Sequence, residues 1–253
     1  MCAMKARRTY FLGLTLVLSA FFVGILSPRN LLAQDARGLL RTWMEGQRSA
    51  IEEIGSLRVT ESIEHVMDSG FGRQELRLEA TREVGPEAES PGRTISWIRF
   101  NGRKVPTGRG NGIRRRLRGM LRPEMAGLLD GFRFPVQELA RMKPPEAISQ
   151  EDLDGSPMWR MDTVPRNRGG PSERLTAWFD QENFHLQATQ TIFSSRGERS
   201  LRIRTAYDRF DGIDLPIHRQ IEGSTPVRRR TRFYTMLFEQ RIEYSEFEIT
   251  LKE

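Results

Sequence analysis

The sequence predicts an α+β fold built on one large, twisted antiparallel sheet with helices on one of its faces. Three observations predict it. From Arg174 to Ile221 apolar residues alternate with polar ones at a period of two, as a half-buried strand requires and a helix does not. Polar clusters of hairpin length separate the runs, at Asp180-Gln181-Glu182-Asn183, Ser194-Ser195-Arg196-Gly197 and Asp211-Gly212, which leaves no room for crossover helices. Helical periodicity is confined to a stretch near the N-terminus and to an insert in the middle of the chain.

The elements follow in order. Leu39, Leu40, Trp43, Ala50, Ile51 and Ile54 recur close to one stripe, which predicts an amphipathic helix over Ala36 to Gly55 with Gly55-Ser56 as its stop. Strands then take over, with Leu57, Val59, Ile63 and Met67 in the first and Leu76, Leu78, Ala80 and Val84 in the second. Ile95 and Trp97 mark the third, which ends at the turn dipeptide Asn101-Gly102, and Gly85 to Gly92 reads as an exposed loop before it. Ile113, Leu117, Met120, Leu121, Met125, Leu128 and Leu129 have helical spacing broken at Pro123, which predicts two short helices, and Val136 to Met142 predicts a third. Ala147 to Leu153 and Met158 to Val164 form a hairpin about Asp154-Gly155, followed by a polar loop at RNRGGPSE.

Within the meander, Leu186, Ala188 and Ile192 are expected on one face, then Leu201, Ile203 and Tyr207, then Leu215, Ile217 and Ile221. The last strand, Phe233 to Leu251, changes its apolar parity between Tyr244 and Phe247, which predicts a bulge near Ser245-Glu246. One helix, three strands, a helical insert and about six more strands make a trough with a cover.

The N-terminus reads as a targeting segment. Lys5, Arg7 and Arg8 precede the apolar run Tyr10 to Leu26, and Leu31-Leu32-Ala33 offers a small residue before Gln34. Residues 1–33 are expected to be a signal peptide cleaved after Ala33, with the remainder, 34–253, a single exported domain. The run is long for a signal peptide, so an uncleaved inner-membrane anchor is the other reading. This segment holds four of the chain's 40 basic residues and none of its 33 acids, which leaves 36 against 33, about +3, for the mature chain. The single cysteine, Cys2, precedes the apolar run, so it is neither a lipidation site after a signal peptide nor a disulfide partner in the mature protein. No internal repeat or long linker divides the chain.

Catalysis has little support. His65, His185 and His218 stand far apart on separate strands, and the chain lacks HExxH, GxSxG and any cysteine or histidine pair at metal spacing. Each histidine reads as a surface group or a strand partner. Gly108-Arg109-Gly110-Asn111-Gly112 has the glycines of a phosphate loop without its GKS/GKT ending or a parallel βαβ context, and reads as a loop before the insert. No cofactor or metal is expected. Trp97, Trp159 and Trp178 on strands read as core or as the lining of a cavity.

Residues of the later strands carry a resemblance. AWFDQENFHLQATQ, YDRFDGIDLPIHRQI and DLDGSPMWRMDTVP are similar to the tryptophan-containing strand with its Asp turn, the D-G then L-P strand pair and the G-x-P strand of the LolA/LolB-like lipoprotein-carrier superfamily. The resemblance spans most of residues 36–251, and its motifs are mostly structural. It implies an incomplete β-barrel whose concave face is closed by helices. The family's roles are carrying acylated lipoproteins across the periplasm, receiving them at the outer membrane, and sensing envelope stress. An exported chain without a lipidated cysteine resembles the carrier or the sensor. No individual binding residue is carried over from the family's motifs.

The expected ligand is a lipid or acylated lipoprotein held in the trough. Its lining is expected from Leu76, Leu78, Ile95, Trp97, Trp159, Met161, Ile203 and Ile217, and its cover from Ile113, Leu117, Met120, Leu121, Met125 and Leu129. The other reading of these residues is ordinary core. Arg114, Arg115, Arg116 and Arg118, with Arg228, Arg229, Arg230 and Arg232, read either as a solvated surface or as contacts to anionic headgroups or an acidic envelope protein. Export and a modest mature charge argue against nucleic acid.

Overall fold

The computed structural model describes residues 28–69, 72–85, 92–105, 132–165, 172–194, 200–229 and 232–252. Its elements are α1 (Pro28–Glu52), β1 (Ile54–Asp68), β2 (Arg73–Val84), β3 (Gly92–Phe100), β4 (Arg103–Val105), α2 (Pro135–Ala140), β5 (Ile148–Leu153), β6 (Ser156–Thr163), β7 (Ser172–Asp180), β8 (Leu186–Ser194), β9 (Ser200–Phe210), β10 (Ile213–Arg229) and β11 (Arg232–Leu251). The eleven strands form one open antiparallel sheet in the order β4-β3-β2-β1-β11-β10-β9-β8-β7-β6-β5.

Every neighbour in that order is also a neighbour in the chain, except β1 and β11. This pair joins the first strand to the last in the interior of the sheet, from Ile54 opposite Leu251 to Asp68 opposite Leu237. The edges β4 and β5 are consecutive in the chain, so the segment 106–147 leads from one edge to the other. The predicted helices over Ile113 to Leu129 and the basic cluster Arg114 to Arg118 lie outside the described residues.

Turn chemistry sets the hairpins. Asn101 and Gly102 both take positive φ, 47° and 76°, as a two-residue turn matched to strand twist requires, and they add β4, a strand the periodicity does not reveal. Asp154-Gly155 and Asp211-Gly212 repeat the arrangement, each with positive φ at both residues. Asp180 caps the longer turn by accepting from the backbone N–H groups of Glu182 and Asn183 at 2.9 and 3.0 Å.

Bulges decide which residues face inward. The expected one lies between Arg58/Glu248 and Thr60/Ser245, with Glu246 at φ 53°. A second lies between Pro216 and His218, and a bulge is a place where a strand tolerates proline. A third, between Trp178 and Phe179, corrects the expected alternation of β8. Leu186 belongs to the main core, whereas Ala188 packs with Met158 and Trp178 in a small cluster of its own.

α1 also differs from expectation. It begins at Pro28 rather than Ala36, since proline is tolerated in a first helical turn, and ends at Glu52 because Ile54 already belongs to β1. Its buried stripe is Trp43, Gln47 and Ile51, one residue per turn, while Leu39 faces solvent. α2 buries Pro135, Val136 and Leu139. Residues of both helices join β1, β2, β3 and β5 through β11 in a single apolar cluster.

Gly223 on β10 faces Phe238 of β11 in register. A Cβ there would stand 2.5 Å from Phe238 Cζ and 2.8 Å from Ser200 O. The ring occupies the space a side chain would take, and the backbone oxygen cannot yield cheaply. Gly223→Ala is therefore expected to lower stability by about 2 kcal/mol through overpacking. An unchanged urea midpoint in equilibrium unfolding would count against this packing.

Candidate functional site

Strand register assembles one inner face. His65 of β1 lies between Leu76 of β2 and Gln240 of β11, and Ile221 of β10 and Ile203 of β9 continue the row. The adjacent row runs Leu78, Ile63, Ile242, Arg219 and Thr205, then Thr189 and Ala177 and on to Met161. Most of these side chains are buried, and they divide into two clusters. The larger contains Leu76, Leu78, Ile63, Ile242 and Met161 together with the helical residues. The smaller contains Met67, Ile203, Ile221 and Phe238, flanked by half-buried Phe193, Leu201 and Met236, and none of these is helical.

The lining expected from sequence is thus partly brought together. Leu76, Leu78 and Met161 are buried in the larger cluster, with Ile95 and Trp159 half-buried against it. Ile203 belongs to the smaller cluster. Ile217 is half-buried at the Pro216/His218 bulge. Trp97 goes elsewhere, because a register shift beside Ala80 places it opposite Glu79 and gives the inward position to Ile98, opposite Leu78. Arg99 lies over the Trp97 ring at 5.7 Å from its centroid. Trp178 packs in the separate cluster with Met158 and donates from Nε1 to Glu151 at 3.0 Å.

A buried polar node joins α1 to the sheet. The Asp214 side chain, in the Phe210-to-Pro216 segment FDGIDLP, is fully buried. Its Oδ2 accepts from Trp43 Nε1 at 2.6 Å and from the Leu186 N–H at 3.2 Å, and its Oδ1 accepts from Arg209 Nε at 2.8 Å. Gln47 completes the node: its Oε1 accepts from the Asp214 N–H at 2.9 Å and its Nε2 donates to the Gly212 carbonyl at 3.0 Å. Beside it the Trp43 ring meets Phe179 edge-on, with centroids 5.4 Å apart, and Phe179 stacks on Phe184.

Other polar groups are sunk into the inner face. Arg82 Nε donates to Glu61 Oε1 at 2.6 Å, with both side chains sealed from solvent. Tyr207 and Thr189 hydroxyls lie 3.1 Å apart, and burial raises the phenol of Tyr207 above its ordinary range and that of Tyr244 to about 12. His65, expected at the surface or as a strand partner, is fully buried, and desolvation lowers its pKa to about 4. His185 sits in the turn before β8, and His218 lies 3.5 Å from Glu243. Parity gave a signal for the inward residues, since Glu61 and His65 alternate with Leu57, Val59, Ile63 and Met67.

Two cavities of about 420 Å³ each are lined by described residues. One lies where the segment after α2 meets β5, β6 and β7, among Lys143, Arg160, Arg174 and Asp162. The other lies among Ser56, Arg58, Glu83, Glu248 and the threonines Thr81, Thr94 and Thr250 of β2, β3 and β11. Neither is built from the apolar lining expected from sequence. No helix among the described residues is long and apolar enough to cross a membrane.

No protein-family model matches the chain, and no curated protein matches it. Solved structures similar to it include a DUF1329 family protein from Desulfovibrio piger, at 10% identity over 86% of this chain and 93% of that one, with a TM-score of 0.37. A putative outer membrane lipoprotein-sorting protein domain from Vibrio parahaemolyticus is similar at 10% identity over 86% and 93%, with a TM-score of 0.38. A LolA superfamily protein from Nitrosomonas europaea is similar at 11% identity over 83% and 93%, with a TM-score of 0.36.

Truncating Asp214 would leave the buried Trp43 N–H and Leu186 N–H without that acceptor and the Arg209 charge without its carboxylate. Asp214→Ala is expected to cost about 3 kcal/mol or more in chemical denaturation, with the near-ultraviolet circular dichroism of Trp43 diminished. A loss below about 1 kcal/mol would show that the node does not fix α1.

Proposed function

We propose that this chain is an exported, non-enzymatic protein that binds lipid or the acyl chains of a lipoprotein on the inner face of its open sheet. In this reading residues 1–33 are a signal peptide, residues 34–253 form one periplasmic domain, and α1 and α2 cover the concave side of an incomplete barrel. Retention of residues 1–33 as an anchor would instead hold the same domain at the inner membrane.

The observation that carries the reading is the split of the inner face. One apolar cluster includes residues of α1 and α2, and a second, with half-buried Phe193, Leu201 and Met236 at its margin, has no helical member among the described residues. Apolar surface of this kind suits a ligand of flexible hydrocarbon. Sequestering a chain of about 15 carbons contributes around 12 kcal/mol as an upper figure, at roughly 0.8 kcal/mol per buried CH₂. Part of this is offset by parting α1 from the sheet, which keeps the load releasable.

A second reading draws on the dense packing beneath α1, where Trp43, Phe179 and Phe184 fill the interior with the protein's own rings. There the domain is an envelope sensor or interaction module with a filled core, and its surface binds a protein partner. Native mass spectrometry of the protein purified from its own periplasm separates the two. The lipid-binding reading expects a co-purifying lipid or lipoprotein, which delipidation removes and added lipid restores. Protein at its bare mass that takes up no added lipid would overturn it and favour the partner-binding module.

A further inference from the structure

Two polar side chains interrupt the apolar lane between the two clusters. His65 on β1 and Gln240 on β11 are Cα partners in the pair that joins the first strand to the last. Cross-strand partners on one face bring their Cβ atoms to about 5 Å, so the imidazole and the carboxamide stand side by side. On one side their neighbours are Ile63 and Ile242 of the larger cluster, and on the other Met67 and Phe238 of the smaller. Both are sealed from solvent, His65 at 0% and Gln240 at 2% exposure. Among the described residues, neither ring nitrogen of His65 nor the amide nitrogen of Gln240 has a hydrogen-bond partner. The Phe238 ring beside His65, with centroids 6.4 Å apart, supplies apolar contact only.

A buried polar group without a partner costs about 1–3 kcal/mol, and leucine or phenylalanine would fill either position without that cost. Such a pair on a binding face fits groups that are satisfied when a ligand is in place. The neutral imidazole offers one N–H and one lone pair, and Gln240 adds N–H donors. The complementary group must accept and donate within a few atoms. A secondary amide does both through its C=O and N–H, whereas an ester only accepts. A carboxylate would need a counter-charge, and Arg82 and Arg219 on this face are both engaged by other groups.

We infer that His65 and Gln240 form the recognition point for an amide-linked acyl chain, with the amide of an N-acylated peptide between them and its hydrocarbon along Met67, Ile203, Ile221 and Phe238. This rests on the acyl-binding reading above and specifies the linkage it selects. The pair is closed to solvent in this conformation, so binding requires the interior to open over it.

The test uses methyl N-dodecanoylglycinate and methyl dodecanoyloxyacetate, which differ only by NH in place of an ester oxygen. Each is titrated into the purified protein by calorimetry, below its aggregation concentration. The amide is expected to bind roughly tenfold tighter, the equivalent of one buried hydrogen bond. His65→Phe and, separately, Gln240→Leu are expected to reduce that preference to about twofold or less and not to lower the melting temperature. Equal affinities in the unaltered protein, or a preference that survives both substitutions, would overturn the inference alone. Failure of both probes to bind would overturn the acyl-binding reading along with it.

Discussion

A single buried carboxylate, that of Asp214, accepts hydrogen bonds from α1, β8 and β9, and the seating of α1 on the sheet follows from it. Hydrophobic contact alone would hold an amphipathic helix against an apolar face without fixing where it lies, because burial has no direction. Hydrogen bonds to a desolvated charge do have direction, and each is stronger than a neutral one. Burying the carboxylate is costly unless its lone pairs are filled, so Trp43, the Leu186 N–H and Arg209 must arrive together. Gln47, one turn beyond Trp43, ties the same helix to the backbone on either side of Ile213. The helix therefore has one seat, and it can leave only by giving up the Trp43 bond and both Gln47 bonds.

In the proposed reading the domain holds and releases a hydrocarbon. Contacts to an acyl chain accumulate gradually along its length, whereas the three hydrogen bonds from Trp43 and Gln47 give α1 one defined position on the sheet. The His65 and Gln240 nitrogens, without partners among the described residues, lie on the same face, and in the proposed reading a ligand supplies them. Glu61 and Arg82 differ, since their ion pair is already made inside the folded protein.

Much of the architecture was legible because period-two alternation and turn residues are local signals. The hairpin at Asn101-Gly102, the turns at Asp154-Gly155 and Asp211-Gly212 and the bulge near Ser245-Glu246 lie where the residues place them. Bulges without a compositional mark were not legible. The shift beside Ala80 turned Trp97 away from the inner face, and the one at Trp178 separated Leu186 from Ala188. Pairing of β1 with β11 was equally hidden, because it links the two ends of the sequence. The Asp214 node was half visible: FDGIDLP stood out as a turn, but its connection to Trp43 spans 171 positions and leaves no periodic trace. His65 carried its parity openly, and only the two flanking strands show that this parity means complete burial.

The central claim is that the Asp214 carboxylate seats α1 on the sheet through Trp43. Solvent exchange of the Trp43 indole N–H reports directly on that bond and is measurable by nuclear magnetic resonance. The account predicts an indole proton as strongly protected as the amide protons of the inner strands. An indole proton that exchanges at the rate of an exposed tryptophan would contradict it.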